Sequence, residues 1–217
     1  MSENDLAKMV DYLIRTGYLK SENVKAAMLS VDRKHFVPKE ESRLAYADAA
    51  LPVGFGATIS APSVVAFMLD RLEIKEGMKV LEVGTGSGYN CALLSHLVGD
   101  SGKVISMDVI PQLIELAEHN MKKAGLKSGN CKLETGDGSA GYPTEAPYDR
   151  IIVTAAMPSL GPNHPLAKQL TENGKLIAPV GTRWYQDLIL YDRKSGSMQK
   201  VLPVIFVPLI GKFGYEK

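Results

Sequence analysis

The chain lacks several features that would each narrow its role. It has two cysteines in 217 residues, Cys91 and Cys131. Two thiols cannot build a disulfide framework, and their spacing suits no metal site. The four histidines, His35, His96, His119 and His164, are equally scattered, so no metal is expected and all six residues read as packing or surface positions. An excess of one charge is missing too, since 25 Lys and Arg against 24 Asp and Glu leave a net charge of +1. That gives no basic footprint for nucleic acid or anionic membrane. No apolar run is long enough to span a bilayer, and the start M-S-E-N-D-L-A-K carries acids where a secretory leader carries bases. No repeat, low-complexity tract or Pro/Ser linker interrupts the chain. With 45% hydrophobic and 23% charged residues, it reads as a soluble, cytoplasmic protein of enzyme size with no nucleic-acid or membrane partner.

What is present is mostly periodic. Leu6, Met9, Val10 and Leu13 have the one-face spacing of an amphipathic helix that Gly17 ends. Ser21 offers the N-cap of a second helix whose Val24, Ala27 and Met28 face inward. Residues 46–60, broken by Pro52, Gly54 and Gly56, read as loop. Pro62 then opens a helix with Val64, Val65, Met68, Leu69 and Leu72 on its buried side. From residue 79 onward strands and helices alternate: K-V-L-E-V, the helix Tyr89–Val98, K-V-I-S-M-D, a helix from Pro111 to Ala124, N-C-K-L-E-T, D-R-I-I-V-T, a helix near Leu166–Leu170, and K-L-I-A-P-V. The end changes character. D-L-I-L-Y-D, the turn K-S-G-S and M-Q-K-V-L-P-V-I-F-V-P-L read as an antiparallel pair. The fold class is therefore α/β: a doubly wound, mostly parallel, Rossmann-like sheet with a C-terminal antiparallel hairpin and an N-terminal helical extension. Residues 1–217 read as one domain, with 1–55 as the extension and its loop and 56–217 as the core.

The segment V-L-E-V-G-T-G-S-G-Y carries the first chemistry. Gly84, Gly86 and Gly88 follow a strand and precede a helix, which lets backbone N–H groups meet a ligand closely. The dinucleotide pattern G-x-G-x-x-G needs a glycine at position 89, where Tyr89 stands. Glu82 lies two residues before the loop, and Asp108 closes the next strand, where an acid can accept from both hydroxyls of a ribose. Glu82 with the three glycines and Asp108 is the usual loop of S-adenosylmethionine-dependent methyltransferases. That cofactor has a sulfonium and an ammonium but no pyrophosphate, so acids suit it better than a phosphate cradle. A nicotinamide site is the rival, although no Tyr here has Lys four residues later, the pair many small dehydrogenases use. Asp137 and Gly138, in T-G-D-G-S-A-G, read either as a plain polar turn or as a contact to an adenine ring.

The methyl acceptor is narrowed by what its activation requires. Base amino groups call for a D/N-P-P-Y/F turn after the fourth strand, but V-T-A-A-M-P stands there. A catechol oxygen calls for a metal or a base, and no ligand set is visible. A carboxylate, with a pKa near ~4, is already ionised at neutral pH. It needs orientation and a hydrogen-bond donor that leaves one lone pair free to attack. The hydroxyls in G-F-G-A-T-I-S-A-P-S have no base near them in sequence, and Ser60 as such a donor needs none.

With those residues in hand, the chain resembles the protein-L-isoaspartate O-methyltransferase family. The likeness runs through D-R-K-H-F-V-P, Y-A-D-A-A-L-P-V-G-F-G-A-T-I-S-A-P, the glycine loop, G-D-G-S-A-G-Y, A-P-Y-D-R-I-I-V-T-A-A, G-K-L-I-A-P-V-G and V-I-F-V-P-L. It covers nearly the whole chain, and A-T-I-S-A-P is its most specific part. The resemblance implies methyl transfer from S-adenosylmethionine, with S-adenosylhomocysteine as product, to the free α-carboxylate of L-isoaspartyl residues in damaged proteins. The ester then closes to a succinimide, which hydrolyses partly to normal aspartate. By the same resemblance Ser60 is the active-site serine and contacts the substrate, and residues 1–55 include a substrate-side loop. Thr58, Ile59, Glu82, Gly84, Gly86, Gly88, Asp108, Asp137 and Gly138 serve the cofactor, and Val207 lies in a strand that meets the substrate peptide through its backbone. Methylation of a small molecule on the same scaffold is the alternative. Ser63, Ala49–Ala50 and Met157–Pro158 depart from the family's commoner residues.

Overall fold

Successive residues of the central strands enter two different hydrophobic clusters. Val80, Val104, Ile152 and Ile177 join one, while their neighbours Leu81, Ile105, Ile151 and Leu176 join the other. A strand whose side chains alternate between two buried faces is apolar throughout, which is why these segments read as plain hydrophobic runs. The fold is that of a computed structural model describing residues 3–126 and 129–215. Its main sheet has seven strands in the order β5-β4-β3-β6-β7-β8-β9. These are β3 (Lys79–Val83), β4 (Lys103–Asp108), β5 (Cys131–Thr135), β6 (Tyr148–Val153), β7 (Leu170–Gly181), β8 (Gln186–Asp192) and β9 (Met198–Val204). The first five are parallel, and β7-β8-β9 are antiparallel. The chain winds outward from β3 through β4 to β5, then returns to place β6 on the other side of β3. The mouth between the C-terminal ends of β3 and β6 is thus a topological switch point, where doubly wound sheets bind ligands.

One face of the sheet receives α1 (Glu3–Arg15), α2 (Glu22–Ser30), α3 (Pro62–Leu72), α4 (Tyr89–Val98) and α5 (Pro111–Lys123); the other receives the short α6 (Pro165–Lys168). Leu6, Met9, Val10 and Leu13 are all buried, in the same cluster as Val80 and Leu93. The N-terminal helices therefore pack as part of the sheet's own core. Ser21 stands at the N-cap of α2, but its hydroxyl makes no cap bond. Instead its hydroxyl and backbone N–H, with the N–H of Lys20, donate to the Asp70 carboxylate on α3.

Three segments differ from the sequence expectation. Residues 46–60 are not all loop: β1 (Leu51–Gly54) and β2 (Ala57–Ile59) form a two-stranded antiparallel hairpin, hidden in sequence by Pro52, the glycines and strands too short to show alternation. The helix near Leu166–Leu170 ends at Lys168, because Leu170 pairs in register with Tyr148 and begins β7. Finally, β9 stops at Val204, the first residue of V-I-F-V-P-L. The Phe206 N–H turns to the Gln186 Oε1 at 2.8 Å, and the Val207 carbonyl accepts from the Ala156 N–H at 2.8 Å. Val207 therefore lies beyond the sheet edge, with its carbonyl already engaged. Cys91 and Cys131, unrelated in sequence, meet across α4 and β5 with their Sγ atoms 2.6 Å apart. Among the described residues no helix is long and apolar enough to cross a membrane.

Asp70 is the main polar tie between the N-terminal helices and α3, so Asp70→Ala should lower stability by roughly 1–3 kcal/mol. Urea unfolding of the two proteins measures it; an unchanged midpoint would mean that these bonds exchange freely with water.

Candidate active site

A cavity of about 230 Å³ opens at the switch point. Its walls include the end of the β1–β2 hairpin, the glycine loop after β3 and the start of α4, the ends of β4 and β6, the turn at Gly138, and residues 207–210. Thr58, Ile59, Ser60, Gly84, Gly86, Asp108, Gly138 and Val207 all line it. Elements separated by up to 150 residues of chain thus bring most of the predicted site residues together.

Ser60 is half-buried and follows β2 directly. Its position is fixed through its carbonyl, which accepts from the Arg33 guanidinium at 2.8 Å. The same guanidinium donates to the carbonyls of Ala45 (2.9 Å) and Ala49 (3.2 Å). Arg33 is fully buried and sits over the Tyr89 ring, 5.4 Å from its centroid. Burial brings its pKa down to about 10, opposed by Tyr89 and Asp48, so it stays charged at neutral pH. Asp48 adds a second support, accepting from the Ser63 N–H at 2.9 Å in the first turn of α3. The Ser60 hydroxyl itself has no hydrogen-bond partner among the described residues, and Ser60 lines the cavity.

The three loop glycines have three different reasons. A Cβ on Gly84 would lie 2.3 Å from the Thr154 Oγ1, and one on Gly88 2.9 Å from the Ala117 Cβ. Those two positions are small because side chains from β6 and α5 fill the space. A Cβ on Gly86 would meet nothing nearer than the Thr58 carbonyl oxygen, at 4.0 Å, so this glycine keeps backbone open toward the cavity. Thr154 locks the loop by donating its hydroxyl to the carbonyl of Gly84 at 2.6 Å. Gly138 presses against Val83, where a Cβ would come within 2.9 Å.

Asp108 is buried on the cavity wall, accepting from the N–H groups of Gly86 (3.0 Å) and Ile110 (3.1 Å). Burial raises its pKa despite those donors. Glu82 is placed differently from expectation: it is fully buried behind the loop and is not part of the wall. Its carboxylate accepts from Asn90 Nδ2 at 2.7 Å and from the Ser106 hydroxyl at 2.5 Å. Its neighbour Asn90, which does line the cavity, leaves a buried Oδ1 without a partner. The Tyr89 hydroxyl, on another lining residue, is likewise buried and unpartnered.

Two further predicted residues also stand off the cavity wall. Gly88 is the N-cap of α4 and a packing position rather than a wall residue. Asp137 also lies off the wall; its carboxylate accepts from the backbone N–H of Ser139 (2.9 Å) and of Lys212 (2.8 Å). Partial burial pushes its pKa up, but these bonds outweigh that and hold it below the ordinary value. Arg33, Asp48, Asn90 and Thr154 were not singled out from sequence. Only Asn90, polar in the first turn after the glycines, carried a local signal.

The donor set fits S-adenosylmethionine. Asp108 offers acceptors for ribose hydroxyls, Gly86 offers unobstructed backbone, and the unpartnered Asn90 Oδ1 is an acceptor for a cationic or N–H-bearing group. Comparison with known proteins gives the same direction. The family model described as protein-L-isoaspartate(D-aspartate) O-methyltransferase matches residues 4–214. The chain is 46% identical over 220 residues to a protein-L-isoaspartate O-methyltransferase of Hyperthermus butylicus, covering 97% of this chain and 90% of that one. It is 46% identical over 218 residues to one from Methanococcus aeolicus, covering 100% and 99%. A Plasmodium falciparum structure of the same description, in complex with S-adenosyl-L-homocysteine, superposes with a TM-score of 0.82 at 27% identity, covering 94% and 97%.

Glu82 gives the site a pH signature. Burial raises its pKa from 4.5 to about 7, opposed by the Ser106 and Asn90 bonds and assisted by Asp108. The folded protein therefore holds a proton that the unfolded chain has released, and stability falls as pH rises from about 4.5 to about 7. Glu82→Gln should flatten that slope in urea unfolding followed across the window. Equal slopes in the two proteins would mean that Glu82 is ionised throughout.

Proposed function

The chain belongs to the protein-L-isoaspartate O-methyltransferase family, and from that premise we propose that Ser60 binds the substrate carboxylate while the glycine-loop wall holds the cofactor. The activity is methyl transfer from S-adenosylmethionine to the α-carboxylate of L-isoaspartyl residues. The cofactor supplies a sulfonium-activated methyl carbon; everything else falls to alignment. Holding two reactants in an attacking pose removes on the order of 7–11 kcal/mol of barrier.

The observation that carries this reading is the Ser60 hydroxyl: unpartnered, on the cavity wall, with its backbone pinned by Arg33. Such a hydroxyl donates to one carboxylate oxygen and leaves the other with its lone pairs free. No proton has to be removed from the acceptor, so no base is called for. Asp108 accepts from the ribose hydroxyls, Gly86 lets the chain approach closely, and Asn90, held by Glu82, presents its free oxygen. Thr58, Ile59 and Gly138 complete the cofactor's enclosure. Glu82 acts through Asn90, while Gly88 and Asp137 act by holding α4 and the Gly138 turn in place. Val207 serves as apolar wall beside the substrate, since its carbonyl is committed to Ala156.

The partners are proteins and peptides carrying isoaspartyl residues. We place the enzyme in the cytoplasm, without nucleic-acid or membrane partners, on the near-neutral charge of the chain. The chain is one domain in this reading, with residues 1–55 supplying Arg33, Asp48 and the hairpin strand that carry Ser60.

Matched peptides carrying isoaspartate or aspartate at one position, with labelled S-adenosylmethionine, test the assignment. Only the isoaspartyl peptide should take label. Ser60→Ala should lower kcat on the order of 100-fold, as for loss of one aligned donor, with the S-adenosylhomocysteine Kd within about twofold of the parent. Equal labelling of both peptides sinks the substrate class; an undiminished kcat sinks the role of Ser60.

A further inference from the structure

The tip of the β1–β2 hairpin breaks a local rule of chain conformation. Gly54 pairs with Ala57, which leaves Phe55 and Gly56 as a two-residue loop. Both have positive φ, 54° and 76°, the pattern of a type I′ turn. That turn favours Asn, Asp or Gly at its first position, because a larger side chain is strained in the left-handed region. Phe55 also gains little from burial, since the residue is 57% exposed. It lines the same cavity as Ser60 and Gly86. Val109 and Ile210, the other large apolar residues of that wall with high exposure, stand at 39% and 37%.

A strained aromatic left wet at the mouth of a site is accounted for when a bound molecule covers it. We propose that Phe55 is a clamp for the substrate peptide, its ring packing on the residue adjoining the isoaspartyl one. This rests on the isoaspartyl reading above. The peptide is the better occupant for two reasons. The hairpin atom that borders Gly86 of the glycine loop is the Thr58 carbonyl oxygen, away from the tip. In addition, an unadorned aromatic face binds by area and tolerates many side chains, as damage at arbitrary sequences demands. Val109 and Ile210 extend the same apolar rim.

Phe55→Asn tests the clamp without endangering the fold, because Asn suits the turn better than Phe. With an isoaspartyl peptide at saturating S-adenosylmethionine, KM should rise about 5–20-fold, in line with loss of a covered aromatic side chain. The kcat and the S-adenosylhomocysteine Kd should stay within about twofold, and Tm should be equal or higher. Phe55→Tyr should keep KM near that of the parent. An unchanged KM in Phe55→Asn overturns the clamp, and so does a loss traced to weaker S-adenosylhomocysteine binding. Failure of the parent enzyme to distinguish isoaspartyl from aspartyl peptide registers separately, against the underlying reading.

A different observation concerns the thiols. Cys91 is buried on α4, Cys131 is partly exposed at the start of β5, and no other cysteine is present. Their sulfurs touch across 40 residues of sequence. We infer that the pair is an oxidisable dithiol that a hydroperoxide closes to a disulfide. The partly exposed Cys131 attacks the peroxide, forming an S–O bond as the O–O bond breaks and the other oxygen leaves, as water when the oxidant is hydrogen peroxide. The Cys91 sulfur then displaces the bound oxygen as water, giving the S–S bond. The bridge joins two elements already in contact, so it should raise Tm by several degrees. Intact mass after stoichiometric hydrogen peroxide should drop by about 2 Da, with neither cysteine alkylated after denaturation until a reductant is added. In Cys131→Ser, Cys91 should stay alkylatable. Two free thiols in the treated parent, or Cys131 advancing to sulfinic acid with no bridge, overturns the inference.

Discussion

A single buried charge organises the substrate side of this protein. Among the described residues no carboxylate is bonded to the Arg33 guanidinium; its N–H groups go to the carbonyls of Ala45, Ala49 and Ser60. A desolvated cation is tolerable only where such dipoles replace water. The geometry that satisfies it also fixes the paths of three chain segments relative to one another. A planar fork with several fixed donors can do this, and a lysine ammonium cannot reproduce it. Because one of those carbonyls belongs to Ser60, the need to compensate a charge in the core becomes the precision of a hydroxyl at the surface of the cavity. Tyr89 joins the two sides, carrying Arg33 over its ring while standing at the start of the helix that follows the glycine loop.

The glycine loop shows how one sequence feature divides into separate duties. Gly84 is small for the sake of Thr154, Gly88 for the sake of Ala117, and only Gly86 leaves the main chain bare toward the cavity. The acids divide similarly. Asp108 faces the ligand side with each carboxylate oxygen accepting one backbone N–H, from Gly86 of the loop and from Ile110 after β4, and Glu82 stands behind, where burial rather than contact sets its proton affinity.

Much of the architecture was legible because it is periodic. Runs such as V-L-E-V and R-I-I-V declare strands buried on both faces, and Pro62 and Pro111 mark helix starts that the structure keeps. The β1–β2 hairpin was not legible, since four and three residues are too few for alternation to register. The start of β7 was lost for another reason: Leu170 pairs with Tyr148, a contact that local pattern cannot express. In the site, the predicted residues that line the cavity are mostly those whose backbone or short side chain meets it directly. Glu82 and Asp137 lie off it, because spacing locates a carboxylate along the chain without saying which donors will claim it. Arg33 and Thr154 escaped notice for the same cause, their partners lying 27 and 70 residues away.

The bond from Lys212 to Asp137 draws residues 207–210 across the mouth of the sheet as its closing wall. That stretch follows every strand of the sheet in chain order. On a ribosome it is therefore the last piece of the pocket to emerge, and a nascent chain that has completed its sheet still lacks one side of the chamber. Synthesis order alone thus delays completion of the pocket until the rest of the sheet has been made.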